Sequence, residues 1–237
     1  MSIKIQSGIS THLHSNPVPY ASSAQHATPL GEQIQTMLFG HAKPPLLNPS
    51  MFPHLAAVLR QLNTFKRKIA HLAGDHDDDY TLVLADSTLA MVDEEGRIYL
   101  GASFLQTHAH TEEGLAVMVG AIAHEIGHRP KLWGSERYQV KRFLTEAEKQ
   151  AVCRHEETRA DIFAGKALAE CGLPAQPLCS FLEKIQKTPH PSYFPAHIRA
   201  QVILEAHESR SYRVGQRQQS FPSWDRAASA KRHLGEF

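Results

Sequence analysis

A chain of 237 residues is long enough to bury one full hydrophobic core and short for two independent domains. Its 25 Lys and Arg stand against 24 Asp and Glu, a balance that excludes recognition of nucleic acid or acidic lipid by bulk charge. No apolar run reaches the roughly 18 residues a membrane helix needs, and the start lacks a secretory h-region, so a soluble protein without membrane insertion is expected.

From Met1 to Pro49 the sequence is rich in Ser, Pro, Gln and His, with no acidic residue before Glu32, and reads as a loosely ordered leader. The first arginine is Arg60, which argues against an Arg-rich organelle transit peptide. Three cysteines, Cys153, Cys171 and Cys179, form an odd set without zinc-finger spacing, as expected of reduced thiols in a cytoplasmic protein. A serine-rich, acid-poor leader also resembles the export segments of some bacterial effectors. Export through a specialised secretion system is therefore the alternative location. His12 and His14, inside this leader, have no fold around them to organise a site.

After Asn48-Pro49-Ser50, apolar residues at Leu55, Leu59, Leu62, Phe65, Ile69 and Leu72 predict a helix that Gly74 stops. The acidic run Asp75 to Asp79 lacks the spacing and glycine of a calcium loop and reads as a solvated turn. Tyr80–Leu84, Thr88–Val92 and Arg97–Leu100 are short, apolar and partly β-branched, with Asp93 to Gly96 as a hairpin turn, and predict a small antiparallel sheet. Thr111 caps a second helix whose first turn carries Glu112 and Glu113, with Pro130 ending it at Arg129. His108 and His110 are expected on the surface at its entry. Thr145 and Glu148 form the capping box of a third helix that ends at Gly172-Leu173-Pro174. A short helix near Leu178–Lys187, a Pro-rich turn at Pro189–Pro195 and a helix to about Glu208 follow. The remaining 209–237 hold six Lys and Arg against two acids, a solvated basic tail. The chain thus divides into a leader over 1–49, a catalytic domain over 50–208 and a tail over 209–237.

The second helix carries His124-Glu125-Ile126-Gly127-His128. Histidines four apart project from one helix face toward a common point, and a glutamate beside the first reaches a water held there. The apolar turn before them, with Gly120 and Ala121, suits a helix buried behind a cleft. A catalytic zinc takes three protein ligands and keeps one position open, so a third ligand is required. A third histidine downstream is ruled out, because Lys131 and Gly134 occupy the glycine and histidine positions such a motif needs. The other common solution is a carboxylate from a later helix. Glu157 lies mid-way along the third helix and shares a face with Asp161. Glu156 is the competitor but does not share that face, and His155 is expected to be exposed. Cys153 and His155, two apart, point to different faces and make no thiol and base pair.

These residues resemble the gluzincin zinc peptidases typified by HtpX and Oma-type proteases. Ala121-Ile122-Ala123-His124-Glu125-Ile126-Gly127-His128, then Glu157-Thr158-Arg159-Ala160-Asp161, then the weaker Thr188-Pro189-His190-Pro191-Ser192, carry the resemblance over about Tyr80–Ala206. It implies an α+β, mostly helical zincin-like domain with a small antiparallel sheet whose edge strand borders the cleft, that edge being Arg97–Leu100. It also implies one zinc per chain on His124, His128 and Glu157, and Glu125 as the catalytic base. Asp161 would orient a ligand histidine, and His190 would lie near the metal to gate it or stabilise the oxyanion. The arginine that relatives place a few residues after the His-Pro pair is replaced by His197, with Arg199 two beyond, and the membrane helices of HtpX-like members are missing. The expected activity is endopeptidase cleavage of extended or loosely folded polypeptide. The alternatives are an idle zinc-binding module that grips a partner strand and a regulatory protease for one partner; Glu125 favours catalysis, because structural zinc is more often closed by four protein ligands.

Overall fold

The computed structural model describes residues 43–86, 88–130 and 145–220, without the side chains of Lys149 and 215–220. Most of the expected leader, part of the segment between the two site helices and residues 221–237 of the tail therefore lie outside the described residues. The architecture is mostly helical with a three-stranded sheet.

Helix α1 (Ala56–Ala73) buries Val58, Leu62 and Ile69 and ends at Gly74 in the left-handed region, φ 77°. Lys66 on the same helix is buried, yet its ammonium is satisfied by the Asp77 and Tyr80 carbonyls at 2.9 and 2.8 Å and the Asp77 carboxylate at 2.9 Å. The acidic turn is therefore built into the fold. Asp75 is buried, accepts from the Tyr80 hydroxyl at 2.8 Å, and pairs with Arg129 at 2.9 Å. The expectation of a solvated turn fails here, because a carboxylate with two such donors tolerates removal from water.

Strands β1 (Thr81–Ala85), β2 (Ala90–Val92) and β3 (Arg97–Gly101) pair in the order β1-β3-β2. The Asp93–Gly96 hairpin forms as expected, with the Asp93 carboxylate accepting from the Glu95 and Arg97 amides at 3.0 and 2.9 Å. The sheet is mixed rather than antiparallel: β2 runs antiparallel to β3, but β1 runs parallel to it. Because β3 returns from the hairpin into the space between β1 and β2, it is the central strand and β1 and β2 are the edges, correcting the expectation that Arg97–Leu100 is the edge. Gly101 permits that return, since a Cβ there would lie 1.8 Å from the Thr88 carbonyl oxygen. The last residues of the expected leader also join the sheet, through a Leu47 amide to Leu84 carbonyl bond of 2.9 Å and a bridge from Leu46 to Ala85.

A short α2 (Ala102–His108), absent from the sequence reading, continues directly from β3. Helix α3 (Glu112–Gly127) is capped by the Thr111 hydroxyl accepting from the Gly114 amide at 2.9 Å. Helix α4 (Glu146–Cys171) has the expected capping box and left-handed Gly172. Helix α5 spans Gln176–Ile185. Helix α6 spans Ala196–Ser220, so the expected boundary at residue 208 falls inside a continuous helix. Nearly every side chain of α3 beyond its first turn is buried, since α1, α4, α5 and β2 all pack on it. That central position puts the second half of α3 at the meeting point of sheet and helices. Among the described residues no helix is long and apolar enough to cross a membrane.

Candidate metal centre

Helix α3 delivers His124 and Glu125 from its last turn and His128 from its C-cap, where the backbone is still right-handed helical. Helix α4 crosses against that turn and delivers Glu157 and Asp161 from its middle. The crossing is close because of Gly127: a Cβ there would lie 2.9 Å from Ala160 Cα and 3.1 Å from Ala160 O. The glycine of the helix motif thus brings two backbones together one turn from the polar side chains of each.

One ligand atom from each of His124, His128 and Glu157 falls within 4.8 Å of the others, and all three side chains are buried. Glu157 Oε2 lies 3.3 Å from His124 Nε2, and Glu157 Oε1 lies 3.4 Å from His128 Nε2. The imidazole rings stand at 89° to each other. His124 Nε2 and Glu157 Oε1 are buried without a well-aligned hydrogen bond, an arrangement that costs free energy unless a further group converges on them. Two imidazole nitrogens and a carboxylate oxygen match the donor set of a borderline-soft divalent cation, so the residues present fit a metal ion. Among the described residues no fourth His, Cys, Asp or Glu completes the group. Glu156 stays outside it although buried.

The surroundings orient the ligands. His124 Nδ1 donates to Asp161 Oδ1 at 2.9 Å, which fixes the tautomer and turns the Nε2 lone pair toward Glu157 and His128. Arg199, on α6, holds the other side of Asp161 through Nε at 2.7 Å and Nη2 at 2.9 Å, and its Nη2 also lies 3.4 Å from Glu157 Oε2. Burial works against ionising Glu157, but His124 and Arg199 hold its carboxyl below the usual range; burial is likewise outweighed at Asp161 by the same two groups. Burial also disfavours a charged His124, yet Asp161 and Glu157 together push its pKa up to about 9 with no cation present. Glu125 behaves differently. Burial raises its carboxyl above the usual range, and its Oε2 accepts the Val92 amide of edge strand β2 at 3.0 Å.

His190 is not among the converging ligands. It is exposed, its Nδ1 accepts the Ser192 amide at 3.2 Å, and its ring stacks on Tyr193 at 4.3 Å. Tyr193 lies beneath the Arg199 guanidinium at 5.5 Å. His190 thus touches Tyr193, which touches Arg199, and its imidazole also feels the Glu157 carboxylate. An apolar cavity adjoins His124 and Glu125, walled by Leu89, Phe104, Ala121, Leu178, Phe181 and Leu182.

Arg199, Tyr193 and the Val92 amide had no assigned role in the sequence reading. A signal for Arg199 existed: with Ile203 and Ala206 it forms an i, i+4, i+7 stripe, and a charge on a buried helix face needs a partner inside. The Val92 amide had none, because it depends on which strand is the edge. Among the other histidines His155 and His110 are exposed, and His108 wedges between Phe104 and Phe181 at 5.0 and 5.2 Å. Cys153 and Cys179 are buried and Cys171 is half-buried, and none of the three is in a disulfide.

No protein-family profile matches the chain, and no curated protein matches it.

Proposed function

We propose that the chain is a zinc-dependent metalloendopeptidase of the gluzincin kind. The observation that carries this reading is the buried three-ligand group with an acidic side chain next to its first ligand: His124, His128 and Glu157 converge, and Glu125 follows His124 on the same helix. Zinc in such a site supplies Lewis acidity and brings the pKa of its water toward about 7. The chain's own part is then proton handling and positioning. Glu125, with a carboxyl raised by burial, is suited to take a proton from water at neutral pH and return it to the leaving amine. Asp161 and Arg199 keep His124 and Glu157 oriented toward the same point. An extended polypeptide would add along β2, the edge strand beside Glu125.

The test begins with metal content by mass spectrometry after purification without chelator or added metal. About one zinc per chain is expected. With zinc bound, Glu125→Gln should keep the metal and lose about 10²–10⁴-fold in turnover of an unfolded polypeptide. Absence of zinc even after zinc is offered, or full turnover by Glu125→Gln, would sink the reading.

A further inference from the structure

Strand β2 is joined to β3 through alternate residues. The Gly101 amide donates to the Leu89 carbonyl at 3.0 Å and the Asp93 amide to the Arg97 carbonyl at 3.0 Å, while Ala90, Met91 and Val92 lie opposite Leu100, Tyr99 and Ile98. In an antiparallel pair the residues between such bonded positions turn their N–H and C=O away from the partner strand. Ala90 and Val92 are those residues. The Val92 N–H therefore points away from β3, and its acceptor is Glu125 Oε2 at 3.0 Å.

A buried backbone N–H needs an acceptor, and any neutral oxygen would suffice. Here the acceptor is the carboxyl that follows His124 on α3, and both residues are removed from water. The last torsion of a glutamate side chain is broad, so helix geometry alone does not fix the plane of its carboxyl. A donor from outside the helix does. The strand that supplies it is itself held: Ala90 and Val92 sit in the main core beside α3. Next to Val92, the buried Asp93 carboxylate accepts from the Glu95 and Arg97 amides, from Arg97 Nε at 2.8 Å and from the Tyr99 hydroxyl at 3.0 Å.

We propose that the Val92 N–H is a positioning group for Glu125. It sets the plane of the carboxyl from the strand along which a polypeptide adds, so substrate residues that pair with β2 away from the scissile bond raise turnover and not affinity alone. This inference rests on the peptidase reading.

Two measurements on the full-length chain test it. In the first, which needs no turnover, Glu125→Ala should move the Val92 amide proton signal upfield, and Glu125→Gln, which keeps an acceptor oxygen, should move it less. A signal indifferent to Glu125→Ala would overturn the proposal. In the second, with zinc bound, Val92 is replaced by the α-hydroxy acid that bears the same side chain, so that an ester stands where the N–H was. Here kcat and kcat/KM should fall together by about 10–100-fold at unchanged zinc content. Lengthening a peptide substrate should raise kcat in the wild type and not in this ester. The same replacement at Ala90 weakens the strand alike without touching Glu125, and should act through KM. Equal losses of kcat at both positions would report a loosened strand and overturn the proposal. An undiminished kcat in the Val92 ester, beside a wild type whose turnover needs Glu125, would sink this inference alone. A wild type without zinc or turnover would sink the peptidase reading and this inference with it.

Discussion

Asp161 serves two masters through one carboxylate, and substitutions around it should separate them. Asp161→Asn removes the anion that holds the His124 ring and should weaken zinc binding about 10–100-fold, measured by competition with a chromophoric chelator. Arg199→Met instead leaves buried Asp161 and Glu157 with only the His124 imidazolium as counter-charge, and should cost about 3–5 kcal/mol in denaturant unfolding of the metal-free protein. A loss below about 1 kcal/mol would mean that water reaches the pair. The residue scale is also where pH acts. In the metal-free protein His124 has a folded pKa raised to about 9 above an unfolded value near 6.5, so its protonation stabilises fully below pH 6.5. That contribution should disappear as pH rises through about 9, and thermal melts across pH 6–10 would read it. Metal and proton compete for the same nitrogen, so zinc binding at pH 7 should release about one proton, measured by calorimetry in buffers of different ionisation enthalpy. At this scale much was legible: His124, Glu125, His128 and Glu157 follow from spacing on two helices. His190 sits where only a loop can put it, and spacing says nothing of loop geometry.

At the scale of elements, the close crossing of α3 and α4 decides whether four side chains form a group. Gly127→Ala places a methyl 2.9 Å from Ala160 Cα, a backbone contact that cannot rotate away. The helices should separate, with a loss of about 1–3 kcal/mol and of zinc affinity together. An unaltered melt and metal content would show that the crossing has slack. The helices themselves were readable because their ends carry chemistry of their own: Thr111, Thr145, Glu148, Gly74 and Gly172 each satisfy or terminate backbone locally. The sheet was readable strand by strand but not in its order. Three short apolar segments and a hairpin fit either an antiparallel meander or β3 inserted between β1 and β2, and the choice rests on packing against α3 and on passage of the chain over Gly101. The end of α6 was missed for a related reason, since the residues beyond Glu208 keep helical continuity without an apolar stripe to announce it.

For the molecule as a whole, a cation on residues from two helices would act as a crosslink. Zinc at about 100 times its dissociation constant should add about 2.7 kcal/mol, or about 5–10 °C in midpoint for a chain of this size, and a chelator should reverse the gain. The clamp that the sequence least advertises lies at the far end of α3. Arg129, directly after His128, has φ 53°, a left-handed conformation that disfavours a side chain. Its guanidinium is gripped by Asp75, 54 positions earlier, which Tyr80 holds in turn. The turn closing α1 therefore fixes the direction in which the chain leaves His128. A drift at position 75 would be felt as a loosened ligand, so the metal centre has a hinge pin outside the helix motif by which it would be recognised.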